Sequence, residues 1–235
     1  MKFFLLFLSI FFTSLVVSQN NFSTVEEGKR IQDFIPKGWE KITECKGDLN
    51  NDKADDIAFI IEEKDKKKFI LNQQGLGQDT LNINPRKLII IFKNGSAYKL
   101  ADVNNTFIPL SNDIENSCLM DPLADGEIKI EKGKFKISLN YWYSCGSWYT
   151  TIKTFTFKFR DNHFFLIGFD SYQFHRSTGE VTEESRNYLT KKQSSSSGGN
   201  QFSDGKEKIK TIWSKIKLDH LTKLKDLNSE SIYDF

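Results

Sequence analysis

The clearest signal in the chain is a two-residue alternation of apolar and polar positions across residues 127–160. Phe135, Ile137, Leu139, Tyr141 and Tyr143 alternate with Lys134, Lys136, Ser138, Asn140 and Trp142. After a turn at residues 144–147, Phe155, Phe157 and Phe159 alternate with Thr154, Thr156 and Lys158. A period of two sends successive side chains to opposite faces of a sheet, so this stretch predicts an antiparallel meander with one apolar face. Lys132-Gly133 and Asp161-Asn162 are pairs that tolerate positive φ at a hairpin tip. They predict the partners Ile130–Phe135 and Ile128–Ile137 in one hairpin, and Phe159–Phe164 and Phe157–Leu166 in the next. Residues 172–188 continue as a hairpin turning at Ser177-Thr178-Gly179.

The first half of the chain is read from shorter runs. Ser23 and Glu26 have capping-box spacing and predict a brief helix over residues 24–33. Pro36 and Gly38 break the chain, and residues 39–45 alternate weakly as a strand. Ile57-Ala58-Phe59-Ile60-Ile61 is apolar at every position, which predicts a central strand buried on both faces. Residues 62–68 read as a charged hairpin tip from which Phe69-Ile70-Leu71 returns. Leu88 to Phe92 is a second buried strand, and Asn94-Gly95 predicts a tight hairpin pairing Phe92 with Ala97 and Ile91 with Tyr98. Residues 72–85 and 101–126 read as long irregular loops. Residues 194–205 are Ser/Gly-rich and read as a flexible linker. Residues 206–235 form a C-terminal segment packing back on the β domain, with residues 208–217 favouring a strand over a helix. The expected fold is therefore mainly β, an antiparallel meander or sandwich with a short N-terminal helix and irregular loops.

Composition adds the compartment. Met1-Lys2, an apolar run to Val17 and Val16-Val17-Ser18 read as a secretory leader over residues 1–18, followed by a β domain over residues 19–193. The run is too short for a bilayer span, and no later segment is long and apolar enough for one. The chain carries 33 basic and 31 acidic residues. Without Lys2 the balance is 32 to 31, which leaves no field to attract nucleic acid. Three cysteines, Cys45, Cys118 and Cys145, imply one disulfide and one thiol in an oxidising compartment. Sequence alone does not fix the pairing. Cys118 with Cys145 is preferred, because Cys45 lies on a strand where a buried thiol is common. Asn21, Asn94 and Asn104 head glycosylation sequons.

Two constellations could carry chemistry. Asp48, Asn50, Asp52 and Asp56 place side-chain oxygens at positions 1, 3, 5 and 9 of a short loop, and Ala54 offers a carbonyl at position 7. Calcium takes six to eight oxygen ligands and suits such a loop. Trp142, Trp148 and Tyr149 cluster around the turn at residues 144–147 and could form an exposed face for sugars or a protein partner. The histidines His163, His175 and His220 are isolated. Ser144-Cys145-Gly146-Ser147 lacks the strand–turn–helix context of a hydrolase nucleophile.

The segment from Gly47-Asp48-Leu49-Asn50 to Asp55-Asp56-Ile57 resembles the calcium loops of FG-GAP and VCBS-type extracellular repeats. The resemblance spans residues 47–60 and implies a strand-flanked loop that calcium stiffens. It departs from the pattern at Lys53, where loop position 6 is usually Gly, and at Phe59, where position 12 lacks a Glu. The motif occurs once, so the repeat architecture of those proteins is not implied. The expected function is a secreted or periplasmic, non-enzymatic binding protein, with weak calcium in the acidic loop and a protein or carbohydrate partner. A hydrolase of envelope or extracellular polymers, using carboxylates near that loop or near residues 180–184, is the alternative. An inhibitor or immunity-type protein is the third.

Overall fold

The computed structural model describes residues 25–203, 205 and 207–231. The expected leader and its cleavage site lie outside these residues. The first sheet has five antiparallel strands in the order β1-β7-β6-β3-β2. They are β1 (Glu27–Gly28), β2 (Trp39–Gly47), β3 (Asp56–Glu63), β6 (Arg86–Asn94) and β7 (Ala97–Asn104). A small hairpin, β4 (Phe69–Leu71) with β5 (Thr80–Asn82), stands between β3 and β6. The second sheet is an unbroken seven-stranded meander: β8 (Glu127–Glu131), β9 (Lys134–Trp142), β10 (Tyr149–Arg160), β11 (His163–His175), β12 (Glu180–Asn187), β13 (Lys192–Asn200) and β14 (Lys210–Lys215).

The two sheets pack face to face, as the alternation requires. Ala58, Ile60, Leu88 and Ile90 meet Phe135, Ile137, Phe155, Phe157, Phe164 and Phe169 in one core. Phe107 sits edge-on to Phe155 and Phe157, at centroid distances of 5.2 and 5.8 Å. The far face of the first sheet is also apolar, because Ile57, Phe59, Ile61, Ile89 and Ile91 alternate with the core residues. Phe34 and Trp39 help cover it. This is why β3 and β6 carry no polar alternation. Leu224 and Leu227 of the C-terminal segment close the main core, and the Asn104 amide donates to both of their carbonyls, at 2.6 and 2.8 Å. Asn104 is thus fully engaged in the interior and is no glycan acceptor in the folded protein.

The two turn pairs of the meander hold their predicted register. Ile130 faces Phe135 and Ile128 faces Ile137, with Lys132 and Gly133 at φ 51° and 69°. Phe159 faces Phe164 and Phe157 faces Leu166, with Asp161 and Asn162 at φ 49° and 59°. β3 is central and buried, and β14 is a strand, both as expected.

Four local expectations are corrected. The described part of the expected N-terminal helix, residues 25–33, does not form that helix: Glu27 and Gly28 pair with Lys99 and Tyr98, and residues Ile31–Phe34 form a single 3₁₀ turn. Sheet pairing overrides the capping signal, and the segment had no apolar helical stripe to resist it. Phe69–Leu71 does not return along β3 but pairs with Thr80–Asn82 inside the expected loop, because β2 and β6 already flank β3. The Asn94-Gly95 hairpin is shifted: Asn94 pairs with Ala97 and Phe92 with Lys99, so Gly95 (φ 58°) and Ser96 form the tip. The Ser/Gly tract expected as a linker is β13, hydrogen-bonded on both sides by β12 and β14.

The disulfide joins Cys118 to Cys145, with Cα atoms 5.3 Å apart. It ties the connector before β8 to the turn between β9 and β10. Cys45 is a free, half-buried thiol, and burial pushes its pKa up to about 12. Among the described residues no helix is long and apolar enough to cross a membrane.

The connector is anchored by an ionic network that the sequence pattern did not reveal. Arg86, 3% exposed, donates Nε to Glu62 at 2.8 Å and both terminal nitrogens to the Asp121 carboxylate at 2.6 Å. Ser111 bridges, donating to Glu62 while accepting from Arg86. Burial opposes the guanidinium charge, but Asp121 and Glu62 more than offset it, so the Arg86 pKa is raised.

Candidate functional site

The inner face of the seven-stranded sheet extends beyond the part that the first sheet covers. Register shows where it emerges. One cross-strand row runs Ile137, Phe155, Phe169, Arg186, Gln193, Ser214. The next runs Leu139, Lys153, Ser171, Glu184, Ser195, Ile212, and the third Tyr141, Thr151, Gln173, Thr182, Ser197, Lys210. Residues paired across a ladder share a face. Each row starts in the core at β9 and is polar at β12 and β13, and only the second row ends on an apolar residue, Ile212.

The β10–β12 members of the second and third rows, with Tyr141, Tyr143, Ser147 and Tyr149 at one end, line an open groove of about 490 Å³. Three tyrosines lie at its β9–β10 end, and its floor is Thr151, Lys153, Ser171, Gln173, Thr182 and Glu184. The floor is held in place: Gln173 Nε2 donates to Thr151 Oγ1 at 2.9 Å. The Lys153 ammonium lies 6.0 Å from the Tyr141 and Phe169 ring centroids. Burial lowers its pKa, Arg186 acts in the same sense and Glu184 opposes. Burial raises the Tyr143 pKa, and the Asp113 charge adds to this. Beyond Tyr141 lies a second, more apolar hollow of about 400 Å³, lined by Pro109, Leu110, Ile114, Leu119 and others.

The expected aromatic face is split by the sheet. Tyr149 lines the groove. Trp148, 64% exposed, stacks on His175 at 6.1 Å, and Tyr149 meets the same imidazole edge-on at 5.0 Å. These two therefore form one rim. Trp142 pairs with Thr150 on the opposite face, with the Arg176 guanidinium 5.5 Å over its ring. Parity separates it: an even-numbered residue of β9 points away from Tyr141 and Tyr143. Tyr141, Tyr143, Lys153 and Gln173 carry no site signal of their own in the sequence, whereas Glu184 belongs to the 180–184 carboxylates of the hydrolase alternative. The one trace of the groove is a pair of polar residues, Thr151 and Lys153, continuing the inward parity of Phe155.

The acidic loop closes on itself. Asp48 accepts from the Asn51 and Lys53 amides at 2.6 and 2.9 Å. Asn50 Oδ1 accepts from Asp52 N at 2.9 Å, and Asp52 accepts from Ala54 N at 2.8 Å. Asp56 is fully buried and accepts from Leu49 N and Lys93 N, at 2.8 and 2.9 Å. Burial raises its pKa against those two bonds, and Asp52 and Asp48 raise it further. Among the described residues no group of three or more His, Cys, Asp or Glu side chains converges as a metal site. Lys53 is left-handed, with φ 69°.

No protein-family model matches the chain, and neither a curated protein nor a solved structure matches it.

Proposed function

We propose that this is a non-enzymatic binding protein of an exported compartment, whose groove on the seven-stranded sheet seats a short oligosaccharide. The observation that carries this reading is the composition of the groove: tyrosines at one end and a floor of hydroxyl, amide, ammonium and carboxylate groups. Tyrosine offers an apolar ring with a polar tip, which suits a sugar's C–H face and its hydroxyl edge together. From β9 to β12 the floor crosses three inter-strand spacings, about 14 Å, the length of a short oligosaccharide. The volume falls in the usual range of ligand sites. Glu184 is the one carboxylate among the lining residues, so the paired carboxylates of a glycoside hydrolase are not supplied there. The disulfide fits an oxidising, exported setting.

A direct test is titration with neutral oligosaccharides of three to six rings, read by tryptophan fluorescence through Trp148 on the rim. Binding that weakens about tenfold in both Tyr149→Ala and Gln173→Ala supports the reading. Bound sugar cleaved during the assay would move the protein to the hydrolase class.

Calcium in the Asp48–Asp56 loop is the second reading. It is favoured by the left-handed Lys53, because loop position 6 of the resembling pattern requires that conformation.

A further inference from the structure

Among the described residues, the seven-stranded sheet ends in an open edge. β14 pairs with β13 on one side, from Lys192↔Lys215 to Ser197↔Lys210, and is the last strand of its sheet. Its six residues are all exposed, including Ile212 at 58% and Trp213 at 68%. These two side chains point to opposite faces, since Ile212 stands in a groove row and Trp213 pairs with Ser194 on the other side. They have only the strand edge in common. An extended chain laid along that edge would take backbone hydrogen bonds from β14 and pack alternate side chains against Ile212 and Trp213.

Charge says what kind of chain. Lys208, Lys210, Lys215 and Lys217 are all exposed around this edge. Among the described residues none of these four has an acidic partner within 4.0 Å, so their charges are free to meet an incoming chain. Edge lysines repel a second copy: antiparallel self-pairing about the strand centre would oppose Lys210 to Lys215. The same lysines attract an acidic strand. We propose that β14 is a docking edge for an extended, acidic segment of a partner protein, bound by strand addition.

The test uses the full chain and a labelled ten-residue peptide alternating Glu with Val, followed by fluorescence anisotropy and amide hydrogen exchange. The expected result is saturable binding that weakens at least tenfold with the Lys210→Glu/Lys215→Glu double variant. It should also weaken at least tenfold when alternate peptide amides are N-methylated, and it should protect the amides of residues 210–215. Equal binding of the N-methylated peptide would overturn the proposal, because charge alone would then suffice. Absence of binding at millimolar peptide, protection on another strand, equal binding of a Lys/Val peptide, or self-association through β14 would overturn it as well.

Discussion

Replacing Arg86 with Met should be among the most damaging single changes in the protein. The side chain is 3% exposed and bridges Glu62, Ser111 and Asp121, so it joins β3 and β6 to the connector that carries the disulfide. Methionine fills much of the space but leaves Glu62, 5% exposed, as a buried carboxylate without its guanidinium. Breaking one side of a buried pair typically costs about 3–5 kcal/mol. The lower end applies here, because Lys64 Nζ lies 3.7 Å from Glu62 Oε1 and Asn82 Nδ2 donates to the same oxygen at 3.1 Å. At a urea slope of about 2 kcal/mol/M, a loss of about 3 kcal/mol moves the unfolding midpoint down by roughly 1.5 M. The Glu62→Met/Arg86→Met double variant should recover about 1–3 kcal/mol over the single one, since it removes the orphaned charge. Asp121 is then left nearer the surface, where water can reach it. The assay is urea unfolding followed by tryptophan fluorescence for the wild type, both single variants and the double. If Arg86→Met shifts the midpoint by less than about 0.5 M at that slope, or the double variant is less stable than the single, the reasoning is refuted.

The Cys118→Ser/Cys145→Ser variant opens a loop with a sequence separation of 27 and should lose about 3.5 kcal/mol on the chain-entropy estimate, read by thermal or urea unfolding. Lys87 stands 4.7 Å over the Trp39 ring, and burial lowers its pKa from 10.5 to about 8. Between these values the unfolded chain holds a proton that the native state has released, so Lys87 makes stability rise with pH across that window. Lys87→Met should remove that part of the rise in unfolding midpoints measured from pH 8 to 10; an unchanged slope would contradict the assignment. Lys53→Gly should stabilise the loop by about 1 kcal/mol by releasing the left-handed strain. The same variant tests calcium: it should bind more tightly than the wild type in a calorimetric titration, and indifference of both chains to millimolar calcium would reduce the loop to a turn.

The sheets were legible where the chain alternated. Phe135 to Phe159 carry an inward parity that tertiary packing had no reason to alter, and the turn pairs Lys132-Gly133 and Asp161-Asn162 fixed the register. In the N-terminal segment the local capping signals are weak beside the pairing of Glu27-Gly28 with β7, so the sequence points to a helix where a strand forms. The Ser/Gly composition of β13 suggests a flexible tract, yet its backbone groups are satisfied on both sides by neighbouring strands, which composition does not report. The groove was only partly visible. Tyr149 was singled out, but which face Trp142 shares, and how far β10 to β12 run past the covered core, depend on register across four strands. The Arg86 network joins residues far apart in the chain and leaves no periodic trace.

The uncovered rows of the seven-stranded sheet are proposed to hold the ligand. Amide NMR of the isotopically labelled protein, titrated with neutral oligosaccharides of three to six rings, tests this most directly. Saturable shifts are expected, concentrated at Tyr149, Thr151, Lys153, Ser171, Gln173 and Thr182, with the first sheet unaffected. Shifts confined to any other surface, or no shifts with any of these sugars at millimolar concentration, would contradict that proposal.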